Sequence, residues 1–203
     1  MCEKNRRDRL IRLAMGEPTL ALGFQDEVWW SRLAQPSLYA WTDDKPLRLV
    51  EKETSQADPD CKALACYGLF LPQTDTMLLR FVTGRPVSQV TCDYLAWVAA
   101  RLAQDGKKAL LLIWDNASWH RSKMVRKWLN AHNQRVKRAG GCRLIVCPLP
   151  SKSPWLNPIE PRWVHGKRAI LEPTCLLTAQ ELIERVCTYY GCENLAPITQ
   201  QVC

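Results

Sequence analysis

The chain has 203 residues and a mass of 23.3 kDa, with 47% hydrophobic and 24% charged residues. Those proportions suit a globular domain with a sizeable core and exclude a disordered or fibrous chain. Lys and Arg outnumber Asp and Glu by 28 to 20, a formal charge of +8, so a polyanion is the first partner to look for. No run reaches the ~18 apolar residues of a membrane span, and Met1 is followed by polar CEKNRRDR rather than a signal peptide's apolar core. The expected location is therefore cytoplasmic.

Residues 3–15 (EKNRRDRLIRLAM) have the pattern of one amphipathic basic helix, so residues 1–17 read as an N-terminal helix or linker and 18–203 as one domain. A series of strands follows: Leu20 to Trp30, Tyr39 to Trp41, Leu47 to Val50, Ala65 to Phe70 and Met77 to Val82. Val90, Tyr94, Trp97, Val98 and Leu102 then fall at helical spacing and stop at Asp105-Gly106. Ala109 to Trp114 is a continuous apolar run, the pattern of a strand covered on both faces, and Asp115 stands at its end.

A helix is expected from Trp119 to Arg138, stopped by Gly140-Gly141, and a second buried strand from Arg143 to Cys147. Asn157 and Pro158 have the form of an N-cap and first helical residue, and Thr178-Ala-Gln-Glu181 that of a capping box. A meander of strands followed by alternating helices and central strands specifies an α/β domain. The expectation is an RNase H-like mixed five-stranded sheet flanked by helices.

Ten scattered cysteines, with no CxxC and no ligand-spaced His, read as reduced thiols, and a zinc module is a distant alternative. Three acids are harder to explain by solvation. Asp26 lies in an aromatic strand, where period-2 alternation puts it on the face of Leu22, Phe24 and Val28, with Glu27 on the other face. Asp115 follows a buried strand, and Glu160 opens an apolar, Pro-rich helix. Three carboxylates on adjacent elements are hard oxygen ligands of the kind that hold paired Mg²⁺ ions in phosphoryl transfer. Each has a competing role: an Arg-paired strand acid for Asp26, a helix cap for Asp115, and a capping-box glutamate for Glu160.

Asp115-Asn-Ala-Ser-Trp-His120, together with Leu149-Pro-Ser-Lys-Ser-Pro-Trp-Leu-Asn-Pro-Ile-Glu160-Pro-Arg-Trp163, resembles the DDE transposases of bacterial insertion sequences related to mariner elements. Gly23-Phe-Gln-Asp26-Glu-Val-Trp-Trp30 resembles the first-aspartate strand of that family. The likeness implies that Asp26, Asp115 and Glu160 bind two divalent ions, Mg²⁺ or Mn²⁺. It also implies cleavage of transposon ends and joining of the freed 3′-hydroxyls to target DNA, in a nucleoid-associated bacterial protein that pairs as a homodimer. The resemblance also implies that Asn116 and His120 support the ligands or face DNA, but turn geometry explains Asn116 and helix packing explains His120 as well, and neither joins the catalytic set.

Arg121, Lys123, Arg126, Lys127, Arg135, Lys137 and Arg138 lie in one stretch without an acid, and Lys152, Arg162, Lys167 and Arg168 flank Glu160. Of these, Arg121, Lys123, Arg126, Lys127, Lys152, Arg162, Lys167 and Arg168 are the expected DNA contacts. Trp163 is expected in the core and Trp155 either in the core or against bases. Only 25 residues precede Asp26, too few for the helix-turn-helix region that the resemblance implies, so the expectation is either a separately encoded part that recognises the ends or a truncated remnant. Two other readings stay open: an RNase H-like nuclease or resolvase, and a truncated DNA-binding remnant or regulator of a full-length transposase.

Overall fold

The structure is a computed structural model that describes residues 3–32, 39–40, 47–48, 57–150, 153–170 and 176–199. Helix α1 (Glu3–Gly16) leads into the long strand β1 (Leu20–Ser31), and β2 (Tyr39–Ala40) pairs with β3 (Leu47–Arg48) in a small ladder of their own. Strands β4 (Ala63–Leu71) and β5 (Thr76–Thr83) precede α2 (Ser88–Gln104). The order then runs β6 (Ala109–Trp114), α3 (Lys123–Ala139), β7 (Arg143–Pro148), α4 (Ile159–Ile170), α5 (Ala179–Tyr190) and β8 (Ile198–Thr199). The main sheet has the order β7-β6-β1-β4-β5-β8, with β1, β6 and β7 mutually parallel and β4 antiparallel to both β1 and β5.

The sheet therefore has six strands rather than five. The sixth, β8, pairs Ile198 and Thr199 with Val82 and Thr83 and covers the outer edge of β5. Two residues carry no alternation by which a sequence reading could find them.

Alternation along β1 divides the core into two halves, one on each face of the sheet. Leu22, Phe24, Val28 and Trp30 are buried with Leu111 and Ile113 beneath Ile159 and Trp163 of α4 and Leu182 and Val186 of α5. Ala21, Tyr67, Leu69, Leu110, Leu112 and Trp114 face Val90, Tyr94, Leu95 and Val98 of α2 and Val125 of α3. All six residues of β6 are buried, as the apolar run requires. Helix α1 packs Ala14 into the first half, with Leu10 and Ile11 at its margin.

Three local expectations need correction. Helix α3 starts at Lys123 rather than Trp119, because the Ser122 side chain accepts from Val125 N and caps it, while residues 117–122 form a hydrogen-bonded turn. Strand β7 is not buried on both faces: it is the sheet edge and leaves Arg143 and Ile145 exposed. Helix α4 begins at Ile159, after Pro158. The Thr178 capping box forms as read, with Thr178 and Glu181 exchanging side-chain and backbone hydrogen bonds.

Candidate active site

Strands β1 and β6 run parallel, and their last paired residues are Phe24 and Ile113. Asp26 and Asp115 each stand two residues past that pair. Beyond it β1 continues against β4, with Asp26 opposite Gly68, whereas β6 ends at Trp114. The divergence opens the carboxyl ends of the parallel strands, where open α/β sheets build their sites. The loops after β6 and β7 are tied together there: Leu149 N donates to Trp114 O at 2.8 Å, and the Asn116 amide donates to Leu149 O.

Asp26 sits on the α4 side of the sheet. Its Oδ2 accepts a hydrogen bond from Trp163 Nε1 at 3.1 Å, and no Arg pairs with it among the described residues. Burial, reinforced by the nearby charges of Glu160, Glu27 and Asp115, pushes its carboxyl up to about 8. Trp163 reaches Asp26 because position 68 lacks a side chain; a Cβ there would stand 2.3 Å from the indole ring.

Asp115 Oδ1 accepts from Ala117 N at 2.9 Å and from His120 Nδ1 at 2.8 Å. Burial opposes its charge, but the bonds from His120 and Ala117 outweigh that and hold the carboxyl below its ordinary range. The other nitrogen of His120, Nε2, lies 2.9 Å from Glu27 Oε1 on the opposite face of β1 from Asp26. Burial disfavours the imidazolium, yet the two carboxylates overcome it and raise His120 to about 9, so at neutral pH both ring nitrogens donate.

Glu160 lies in the first turn of α4, half-buried, and burial and the charge of Asp115 raise its carboxyl, against a smaller opposing effect of Lys167. The capping-box alternative requires Asn157 to cap. Instead the Asn157 amide donates to Gln25 O of β1 at 3.3 Å, and its Oδ1 has no hydrogen-bond partner among the described residues. Asn157 thus fastens the start of α4 to the strand that carries Asp26.

The fold therefore brings Asp26, Asp115 and Glu160 to one end of the sheet, close enough to perturb one another's protonation. Among the described residues no three His, Cys, Asp or Glu side chains already stand at metal-holding separation. Asp26 is held by Trp163 and Asp115 by His120. The donor set, three carboxylates, suits a hard divalent cation.

Arg121 in the turn before α3, and Lys123, Arg126 and Lys127 in its first two turns, are exposed, and Lys167 and Arg168 are exposed in the last turn of α4. Arg162 is committed elsewhere: its guanidinium lies 4.0 Å over the Phe70 ring and pairs with Asp75. Lys152 lies outside the described residues. Trp163 is 3% exposed, whereas Trp155 is 76% exposed beside the Glu160 helix. The sequence reading missed Glu27, Gly68 and Trp163 as neighbours of the three acids, and left His120 open between supporting the ligands, facing DNA and helix packing. The one available signal was that Glu27, like Asp26, is an acid inside an otherwise apolar strand.

The sheet order and its flanking helices define an RNase H-like fold. The chain belongs to the DDE superfamily endonucleases: that family's model matches residues 25–183, well over half of the sequence. No curated protein sequence matches it. Among solved structures it is similar to the Mos1 transposase paired-end complex with the left transposon end, with a TM-score of 0.63, 14% identity, and coverage of 94% of this chain and 54% of that chain. It is equally similar to the Mos1 mariner paired-end complex with Mg (TM-score 0.63, 14% identity, 93% of this chain and 53% of that one). The isolated catalytic domain of Mos1 mariner transposase gives a TM-score of 0.57 at 13% identity, over 94% of this chain and 80% of that chain. The chain thus spans about half the length of the Mos1 transposase chains in the DNA complexes. Among the described residues no helix is long and apolar enough to cross a membrane.

Proposed function

We propose that this chain is the catalytic domain of a DNA transposase that cleaves transposon ends and joins their 3′-hydroxyls to target DNA. One observation carries the reading: Asp26, Asp115 and Glu160, from β1, the loop after β6 and the start of α4, converge at one end of the sheet and act on one another electrostatically. These three would hold two Mg²⁺ or Mn²⁺ ions, which when bound supply charge neutralisation at the attacking and leaving oxygens of a phosphodiester. Trp163 and His120 orient two of the carboxylates. Family membership and the Mos1 likeness support the same reaction class.

Duplex DNA is the proposed partner, both as transposon end and as target. The exposed Arg121, Lys123, Arg126 and Lys127, with Lys167 and Arg168 of α4, would supply a phosphate-binding surface. Lys152 belongs to the same proposed set, while Arg162 contributes less because Asp75 and Phe70 engage it. A homodimer and a helix-turn-helix part that recognises the transposon ends complete the proposed assembly in a bacterial cell.

The test is a joining assay with a pre-cleaved duplex bearing a free 3′-hydroxyl, a supercoiled plasmid and Mg²⁺. Covalent joining that disappears in Asp115→Ala and Glu160→Ala supports strand transfer. Hydrolysis without joining supports a nuclease or resolvase, and DNA binding without either supports a non-catalytic regulator.

A further inference from the structure

Glu27 is not one of the three acids, yet it is a carboxylate with a side chain only 7% exposed. Taking such a charge out of water is costly, and an apolar residue would fill the space between sheet and helices at no such cost. Its neighbours account for it. Glu27 Oε1 lies 2.9 Å from His120 Nε2 and accepts from Gln25 Nε2, also at 2.9 Å. The His120 ring is stacked on Trp114, with centroids 4.3 Å apart and planes at 5°, and the edge of Trp119 closes another side at 6.0 Å. Its remaining nitrogen meets Asp115 Oδ1 at 2.8 Å.

The ring is therefore fixed in plane by stacking and in rotation by two carboxylates on opposite sides. Asp115 Oδ1 receives two hydrogen bonds, from His120 and Ala117 N, while Oδ2 receives none among the described residues. One oxygen is fully occupied in holding the carboxylate and the other is left for a ligand. Asp115 stands on a loop with its side chain 51% exposed.

We propose that Glu27 is a positioning residue for the divalent-cation site, acting through His120 to fix the Asp115 carboxylate with Oδ2 free. The inference rests on the reading of Asp115 as a metal ligand. It assigns a role to an acid outside the three, and it accounts for the glutamate next to Asp26 pointing away from the site. Buried partners that orient a ligand in this way change metal affinity by about 10–100-fold when removed.

The test is Mn²⁺ binding by the DNA-free chain, followed by the electron paramagnetic resonance signal of free Mn²⁺, across a cycle of Glu27→Leu, His120→Ala and the double variant, with Asp115→Ala as reference. Metal-free melting curves establish folding. The expected result is that Glu27→Leu and His120→Ala each weaken Mn²⁺ binding by about tenfold or more, and that Glu27→Leu adds little once His120 is gone, because it acts only through that ring. Should Glu27→Leu fail to melt cooperatively, Glu27→Gln carries the same cycle with the shape preserved, and its loss must also vanish in the His120→Ala background.

Wild-type affinity in the folded Glu27 variant overturns the proposal, as does a loss that persists in full without His120. Binding unaffected by Asp115→Ala, or no Mn²⁺ binding by the wild type, overturns the three-acid reading and this proposal with it. Loss in Asp115→Ala with none in the Glu27 variants overturns this proposal alone.

Discussion

Trp163 Nε1 donates to Asp26 Oδ2 at 3.1 Å while its ring lies against Gly68, the residue opposite Asp26 on the neighbouring strand. One indole thus orients the first acid and packs α4, which carries Glu160, onto the sheet. Gly68→Ala forces a Cβ to within 2.3 Å of that ring. The expected cost is about 1–3 kcal/mol of stability from overpacking, read by denaturant unfolding. Trp163→Phe, which keeps most of the packing and removes the donor, is expected to cost about 1 kcal/mol and to lower Mg²⁺-dependent DNA cleavage by about tenfold or more.

Stability is expected to fall as pH rises from mildly acidic to alkaline. Asp26 is raised to about 8 from an ordinary 3.8, so in that window the folded chain keeps a proton that the unfolded chain has released, and raising the pH favours unfolding. His120, raised to about 9 from 6.5, acts in the same direction: its contribution is complete below 6.5 and lost as the pH passes 9. Asp115, held below its ordinary range, gives the opposite slope only at acid pH. Melting temperatures in chelator are expected to decline from pH 5 to 9, and Asp26→Asn to flatten the part below pH 8. A melting temperature that climbs to pH 8 contradicts the electrostatics described.

Arg32 provides a test of the scaffold alone. It is 2% exposed, and its guanidinium donates to Leu177 O, Asp60 O and Asp58 Oδ2, joining the end of β1 to the segment before β4 and to the residue ahead of the α5 cap. Arg32→Met leaves these acceptors unpaired, and a drop of more than ~5 °C in melting temperature is expected. An unchanged melting temperature counts against this strap.

Arg126 and Lys127 are exposed on α3, so replacing both with Ser is expected to leave the melting temperature unchanged. Affinity for duplex DNA is expected to fall similarly for unrelated sequences, and the slope of log K against log salt to shrink by about 0.9 for each phosphate that is no longer neutralised. An unchanged slope removes α3 from the DNA surface.

Much of this architecture was legible where a residue's role is local. The apolar run Ala109–Trp114 is strand β6 without change, and Thr178 and Glu181 cap α5 by contacts within one turn. Alternation along β1 correctly sends Asp26 and Glu27 to opposite faces. The six-strand sheet was not legible, because β8 is two residues long and owes its pairing to the edge of β5. Nor was the Glu27–His120 contact, since 93 positions separate its partners and only the parallel pairing of β1 with β6 brings them together. Asn157 shows how a local rule is overridden: the residue suited to cap α4 uses its amide on β1 instead.

The central claim, that Asp26, Asp115 and Glu160 form one cation-dependent site, is tested most directly by Mg²⁺-dependent cleavage of duplex DNA. The wild type is compared with Asp26→Asn, Asp115→Asn and Glu160→Gln, each first shown to fold. Loss of several kcal/mol of transition-state stabilisation predicts that each variant falls by about 10²–10⁴-fold. Cleavage at the wild-type rate in any one of the three folded variants contradicts the claim.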